Sequence, residues 1–144
     1  MMNESVKAVM DVYYQNATMG AQGIEAVLKH TKHPEFRALL EKQLAAYREQ
    51  EVNTLRDFAQ SGEKPTDNPA WLKVYSDLGI KLHTLVDESD ENLAKLMVEG
   101  TNMGVITMLK TMHAHPDIPQ AVEETGKEII KRENAYMESL KKYL

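Results

Sequence analysis

The sequence predicts an all-helical fold, and three observations lead to that prediction. Apolar residues recur at spacings of three and four along four long segments, the period of a helix with one buried face. Only five prolines and seven glycines interrupt 144 residues, so the segments between them are long. Aromatic residues, which are enriched in strands, make up 6% of the chain. A chain of this length predicts one domain with a sizeable core.

The composition argues against several classes of function. Cysteine is absent, which removes disulfides, thiolate metal ligands and cysteine nucleophiles. The formal net charge of −5 gives no support to a nucleic-acid-binding surface, which needs concentrated Lys and Arg. No apolar stretch predicts a membrane span and no signal-peptide pattern follows Met1, so we expect a cytoplasmic protein with no membrane or nucleic-acid partner.

The first two helices are predicted to form a hairpin. An apolar stripe predicts a helix over residues 4–31, and Pro34 opens the second helix because proline suits the first helical turn. The second stripe ends before Gly62, which fits a left-handed helix cap. The first predicted hairpin therefore covers residues 4–60.

Residues 61–91 are predicted to connect the two halves of the chain. This crossover holds the densest group of helix breakers, and Pro69 is predicted to open a helix within it after Asn68 as the N-cap. The acidic run at 87–91 is interpreted as a turn that caps the next helix, because carboxylates favour helix N-termini. The alternative is a helix that continues through this run.

The second hairpin is predicted over residues 92–144. Its first helix has a stripe rich in methionine and ends near Pro116, where proline again marks a turn. Its second helix is predicted to show its apolar stripe from Ile118 and to run to the C-terminus. Lys141 and Lys142 lie in its last turn, where the helix dipole favours cations.

The two predicted hairpins resemble each other. A Met-Gly pair within the first helix and a His-Pro pair at the turn occur in both halves. From the turn onward, a constant offset of 82 residues aligns the apolar stripes and pairs Glu51 with Glu133. Any two amphipathic helices align by period, but the shared landmarks favour a duplication. Two such hairpins predict a four-helix bundle of approximate two-fold symmetry.

Two hairpins joined by a long helical crossover resemble the ferritin-like superfamily. The resemblance covers nearly the whole chain, and it also rests on the Met-Gly helix and the segment HPEFRALLEKQLAAYREQE. The chain is similar to small four-helix-bundle proteins of Gram-positive bacteria, and some members of the superfamily are described as spore-coat or stress proteins. The resemblance implies a single ferritin-like domain over residues 1–144 of a bacterial protein.

The same resemblance implies where a dimetal site would lie. Members of the superfamily hold two iron or manganese ions with a Glu from each of two helices and a Glu-x-x-His pair from each of the others. Glu51 and Glu133 lie on the stripes of the second and fourth helices, but Thr54 and Tyr136 stand where the superfamily has His. Folding each hairpin about its turn adds Glu99. The candidate metal ligands are therefore these three glutamates.

Three functions remain open at this stage. The one we favour is a non-enzymatic structural or interaction protein with a degenerate or absent dimetal site. Its inward glutamates would then form a buried network with Tyr13, Asn16, Tyr136 or Thr54. The second is a protein that binds or oxidises iron or manganese at the three glutamates. The third is a spore-coat- or stress-associated module that binds a partner through the Met-rich face of the third helix.

Two further features predict contacts. Gly20 and Gly104 are small residues inside helices, so the first and third helices are predicted to cross in contact near them. Trp71, Tyr75 and Tyr14 are predicted to be exposed and to form a partner surface. The expected partner is a second copy of the chain, as a homodimer, or another protein.

Overall fold

A computed structural model describes residues 2–66 and 78–144, and these residues form four long helices. The helices are α1 (Glu4–Leu28), α2 (Pro34–Gln60), α3 (Asp90–Ala114) and α4 (Gln120–Leu140). A 3-10 helix at Lys141–Tyr143 follows α4, and residues 78–83 are also helical. No strand occurs in the described part of the chain, which confirms the all-helical class. None of the described helices combines the length and the apolarity needed to cross a bilayer.

The N-terminus of each of the first three helices is capped by a polar side chain. Asn3 accepts a hydrogen bond from the Val6 amide at 2.8 Å, and His33 accepts one from the Phe36 amide at 3.4 Å. Each cap satisfies an amide that has no partner within its helix. Pro34 follows His33 at the start of α2, as the sequence predicts.

The acidic run before α3 is a break between helices. Residues 84–89 are not helical, and Ser89 caps α3 by accepting a hydrogen bond from the Asn92 amide at 3.2 Å. The Asp87 carboxylate accepts a bond from the Ser89 amide at 2.9 Å, which holds the turn ahead of the cap. The predicted turn is confirmed. The predicted helix start at Asn68-Pro69 lies outside the described residues.

Two helix ends differ from their predicted positions. The helix predicted over 4–31 ends at Leu28. The Arg37 guanidinium donates a hydrogen bond to the Leu28 carbonyl at 3.0 Å, and this carbonyl has no partner within the helix. The last helix begins at Gln120, beyond Ile118, because Pro119 serves as its N-cap.

The apolar core consists of two clusters at different heights along the helices. The upper cluster, which contains Phe36, Leu93 and Leu140, lies towards the turn between α1 and α2. The lower cluster contains Val9 and Met108. Helix α1 packs against α2 and α3, α3 packs against α4, and α1 also touches α4. On every helix, polar buried residues occupy the positions between the two clusters.

The methionines of α3 are largely part of the core. Met97, Met108 and Met112 are buried, whereas Met103 is 41% exposed. The Met-rich stripe therefore fills interior space, as methionine commonly does. Tyr14 is partly buried against the lower cluster, so its predicted place in an exposed partner surface is wrong. Trp71 and Tyr75, the other residues of that predicted surface, lie outside the described residues.

Replacing Gly62 by alanine is expected to lower the free energy of unfolding by about 1 kcal/mol. Gly62 follows α2 with a φ of 72°, a left-handed conformation that disfavours any side chain. Urea denaturation of the Gly62→Ala variant would measure the loss. Gly79→Ala is the matched control, because Gly79 lacks a positive φ and a Cβ there meets nothing within 4 Å. Equal stabilities of the two variants would contradict the expected strain.

Candidate functional site

A layer of polar side chains crosses the interior between the two apolar clusters. We call it the central polar layer, and it consists of Asn16 on α1, Tyr47 and Gln50 on α2, and Arg132 and Glu133 on α4. Glu133 is fully buried, and Asn16, Tyr47 and Gln50 are at most 5% exposed. Polar groups at this depth need internal hydrogen-bond partners, so their arrangement is specific.

Glu133 is the centre of this layer. The Asn16 amide donates to its Oε1 at 2.8 Å, and the side chain of Tyr47 is near enough to lower the pKa of the carboxyl. Burial raises the pKa of Glu133 above its ordinary value, while the bonds from Asn16 and Tyr47 and the charge of Arg132 act in the opposite direction. Burial prevails, so the neutral acid is the form that this interior favours.

Gln50 on α2 forms hydrogen bonds with both α1 and α4 beside the Glu133 carboxyl. Its Nε2 donates to the backbone carbonyl of Tyr13 on α1 at 2.8 Å. Its Oε1 accepts a hydrogen bond from the Arg132 guanidinium on α4. A single side chain of α2 therefore joins α1 to α4 at the level of Glu133.

A second link between α1 and α4 lies below this layer. The buried Tyr13 hydroxyl donates to the Val122 carbonyl at 2.7 Å, and burial raises the pKa of Tyr13 to about 12. Gly126 makes room for it, because a Cβ at this position would overlap the Tyr13 hydroxyl and lie 2.7 Å from Met112 Cε. The close approach of α1 and α4 thus depends on a glycine.

The three predicted metal ligands lie in different environments. Glu51 is at the edge of α2 with its side chain 21% exposed, where it accepts from Thr18 Oγ1 at 3.0 Å and pairs with Arg48 at 3.4 Å. The Glu99 side chain is 44% exposed and pairs with Lys81 at 3.4 Å. Within the described ranges, no three His, Asp or Glu residues are grouped so as to hold a metal ion.

The rotation of α2 explains why Glu51 and Glu133 are not equivalent. Successive residues of a helix point about 100° apart. Helix α2 turns Gln50 and Thr54 into the interior, and this places Glu51 at the margin. The predicted pairing of two inward glutamates is therefore wrong for Glu51. The predicted buried network is present around Glu133, with Asn16 as one of its partners.

The other predicted members of that network have separate roles. Thr54 donates to the Gln50 carbonyl of its own helix at 2.7 Å. The Tyr136 hydroxyl is buried and has no hydrogen-bond partner among the described residues, and burial together with the nearby Glu133 raises the pKa of Tyr136. Neither side chain is a ligand of the buried carboxyl.

The two glycines predicted to join the first and third helices behave differently. At Gly104 a Cβ would lie 2.7 Å from Asn16 Oδ1, so α3 does approach α1 closely at the central polar layer. At Gly20 the nearest atoms belong to the ring of Tyr47 on α2, so the closest approach at this glycine is to α2. Gly20 therefore makes room for the tyrosine that reaches Glu133.

Gln50 and Arg132 are site residues that the apolar pattern does not identify. A signal for Gln50 is present, because buried positions on α2 continue from Leu40 at spacings of three and four through Gln43, Tyr47 and Gln50. A stripe drawn through the apolar residues places Glu51, rather than Gln50, on the buried side of α2. The buried side is polar over this stretch, so the helical spacing of the positions predicts it better than their hydrophobicity does.

This arrangement offers one carboxyl group whose burial disfavours the charged form, two amides, a tyrosine hydroxyl and a guanidinium in one layer of the bundle. The chain matches no protein-family model, no curated protein and no solved structure. The chemistry of this layer is suited to fixing the positions of helices relative to one another, because each bond joins side chains or backbone of different helices.

Proposed function

We propose that this chain is a ferritin-like four-helix bundle in which a hydrogen-bonded carboxyl network replaces the dimetal centre, and that it acts as a structural or interaction protein. One observation carries the proposal. Glu133 is fully buried and accepts a hydrogen bond from Asn16. The other two candidate ligands, Glu51 and Glu99, form ion pairs with Arg48 and Lys81 nearer the surface.

The chemistry of metal binding supports the same proposal. A dimetal site needs several ionised carboxylates, because the negative ligands balance the charge of two cations. The interior around Glu133 favours the neutral acid instead. The neighbouring helices present Asn16, Tyr47 and Gln50, which are neutral.

The order of the elements supports the ferritin-like part of the proposal. Helices α1 and α2 are joined by five residues, and so are α3 and α4, so each pair is a helical hairpin. The segment between α2 and α3 contains helical residues at 78–83, in keeping with a helical crossover. The exposed apolar residues Val52 and Leu55 on α2 support a role in contacts with other proteins.

Metal analysis tests this function. Protein purified without chelators, incubated with excess Fe²⁺ or Mn²⁺ and desalted is expected to retain far less than one ion per chain. The residual metal is expected to be the same in Glu133→Gln as in the matched surface variant Glu99→Gln, because neither carboxyl is then a required ligand. Stoichiometric iron or manganese that is lost in a Glu51→Ala, Glu133→Ala variant would overturn the proposal in favour of a metal-binding protein.

A further inference from the structure

A pocket opens where α3 turns into α4, beside the lower apolar cluster. We call it the turn pocket, and its apolar walls are Leu109 and Met112 from α3, Ile118 from the turn and Ile130 from α4. It has a volume of about 340 Å³, within the range of pockets that bind small molecules. Three segments of the chain surround it, so its shape depends on the fold of the whole hairpin.

The charged groups of the turn pocket balance each other. The Lys127 ammonium pairs at 3.2 Å with the Glu123 carboxylate one turn earlier on α4, and both residues line the pocket. The other titratable lining residues are His113 and His115. The carboxylate in the wall disfavours an anion, and the ammonium beside it disfavours a cation. A neutral molecule therefore suits this pocket best.

His115 is part of a chain of hydrogen bonds that begins on α1. Ser5 Oγ lies 3.1 Å from Asp117 Oδ2 and 3.2 Å from His115 Nδ1. A carboxylate only accepts, so the single hydrogen of the Ser5 hydroxyl is donated to Asp117. Ser5 Oγ can then only accept at His115, and Nδ1 of the neutral imidazole carries the ring hydrogen. The other ring nitrogen, Nε2, is therefore a hydrogen-bond acceptor.

The backbone holds the same histidine from both sides. The His115 amide donates to the Met112 carbonyl at 3.1 Å, and the His115 carbonyl accepts from the Ile118 amide at 3.4 Å. Neither Ser5 nor Asp117 lines the turn pocket, so the bond at Nδ1 is made outside it and Nε2 remains for a ligand. One oriented acceptor in a mainly apolar pocket selects molecules that carry a donor.

We propose that the turn pocket binds a small neutral molecule with an apolar body and one hydroxyl group. The apolar body packs against Leu109, Ile118 and Ile130, and the hydroxyl donates to Nε2 of His115. Ser5 is a positioning residue, because it selects the tautomer of His115 without touching the ligand. This site shares no residue with the central polar layer, so the proposal goes beyond the structural function proposed above.

Titration of the whole chain with phenol and with anisole tests the proposal. The two probes share an aromatic ring, but anisole has a methyl group in place of the hydroxyl hydrogen and cannot donate. Amide chemical shifts in NMR spectra are expected to show saturable binding of phenol at one site, with the shifts concentrated at residues 109–130. The preference, defined as the ratio of the phenol affinity to the anisole affinity, measures the hydrogen bond separately from the attraction of the ring.

Variants locate that hydrogen bond at His115. In His115→Phe the preference for phenol is expected to fall about fivefold, the effect of losing one hydrogen bond that only phenol makes. His83→Phe is the matched control, because His83 is exposed and lies outside the pocket. Leu109→Asn is expected to weaken both probes with the preference unchanged, since Leu109 belongs to the apolar wall.

Ser5 variants test the chain of hydrogen bonds without changing the wall of the pocket. Ser5→Ala is expected to lower the preference for phenol, because Nδ1 loses its acceptor and the tautomer of His115 is no longer fixed. Ser5→Thr keeps the hydroxyl and is expected to restore the preference. These two variants keep the proposal testable if His115→Phe does not fold.

Three results would overturn the proposal. The first is the absence of saturable phenol binding to the wild-type chain, and the second is a preference that is the same in His115→Phe as in the wild type. The third is an equal fall of the preference in His83→Phe, which would show that the hydroxyl does not bind at the turn pocket. Glu133→Gln is expected to leave phenol binding unchanged, so this test and that of the proposed function have separate outcomes.

Discussion

Replacing Glu133 by glutamine is expected to raise the free energy of unfolding at neutral and alkaline pH by about 1–3 kcal/mol, the scale on which buried polar groups are penalised. Glutamine has nearly the same shape, and its amide can serve both Asn16 and Tyr47. It cannot ionise, so it avoids the cost that the fully buried Glu133 incurs at higher pH by holding a proton that the unfolded state releases.

The pH dependence of stability distinguishes this cause from a simple change in packing. The pKa of Glu133 in the folded protein is raised above the ordinary value of 4.5, so the folded state holds its proton where the unfolded state has lost it. The contribution of Glu133 to the free energy of unfolding is therefore at its maximum below about pH 4.5. This contribution declines as the pH rises from there to the raised pKa, and it stays constant above that pKa. Glu133→Gln is expected to lack this decline.

Chemical denaturation at a series of pH values would measure both effects. Glu99→Gln is the control, because the Glu99 side chain is 44% exposed and its replacement leaves the interior unchanged. The expected result is a difference between wild type and Glu133→Gln that grows with pH, with no such growth for Glu99→Gln. Curves for wild type and Glu133→Gln that stay parallel across the pH range would refute the neutral buried acid.

Replacing Gly20 by alanine is expected to destabilise the protein by about 1–3 kcal/mol before a partial offset from better helix propensity. The new Cβ would lie 2.5 Å from Cζ and 2.6 Å from Cε2 of the Tyr47 ring. That ring is rigid, and its side chain is only 3% exposed within the central polar layer, so it cannot move aside without disturbing that layer. The offset, at most about 1 kcal/mol, is smaller than the expected cost.

Gly23→Ala is the matched control on the same helix. A Cβ at Gly23 would lie 3.7 Å from Leu78 Cδ2, an ordinary contact, so this variant is expected to gain up to about 1 kcal/mol from helix propensity alone. Thermal and urea denaturation of both variants would show opposite signs. If Gly20→Ala is as stable as Gly23→Ala, then the ring of Tyr47 is not held against α1 as described.

Much of the architecture could be predicted because its signals are local. Pro34 begins α2, Ser89 caps α3 after the acidic turn, and Gly62 takes the left-handed conformation at the end of α2. Each of these acts within about one helical turn, so the sequence around it contains the necessary information. Two helix ends differ from the prediction. Leu28 ends α1, where its carbonyl accepts a hydrogen bond from Arg37 of the next helix, and Gln120 begins α4 because Pro119 is its N-cap.

The site could be predicted only in part. Glu133 was identified correctly as an inward carboxyl, and Asn16 was among its expected partners. The hydrogen bond between Gln50 and Arg132 could not be predicted, because it exists only where α2 and α4 face each other. The spacing of residues within one helix does not predict which side chains of another helix they will contact.

The sequence by itself determined four amphipathic helices, their order and the chemistry available on each. Only the tertiary structure decided which of two similar glutamates would be buried. Successive side chains of a helix point about 100° apart, so the rotation of α2 about its axis decides whether Gln50 or Glu51 faces the interior. Such a rotation depends on packing against α1, where Gly20 receives Tyr47. Packing between helices, rather than the pattern of either helix, therefore places the Glu133 carboxyl in the central polar layer.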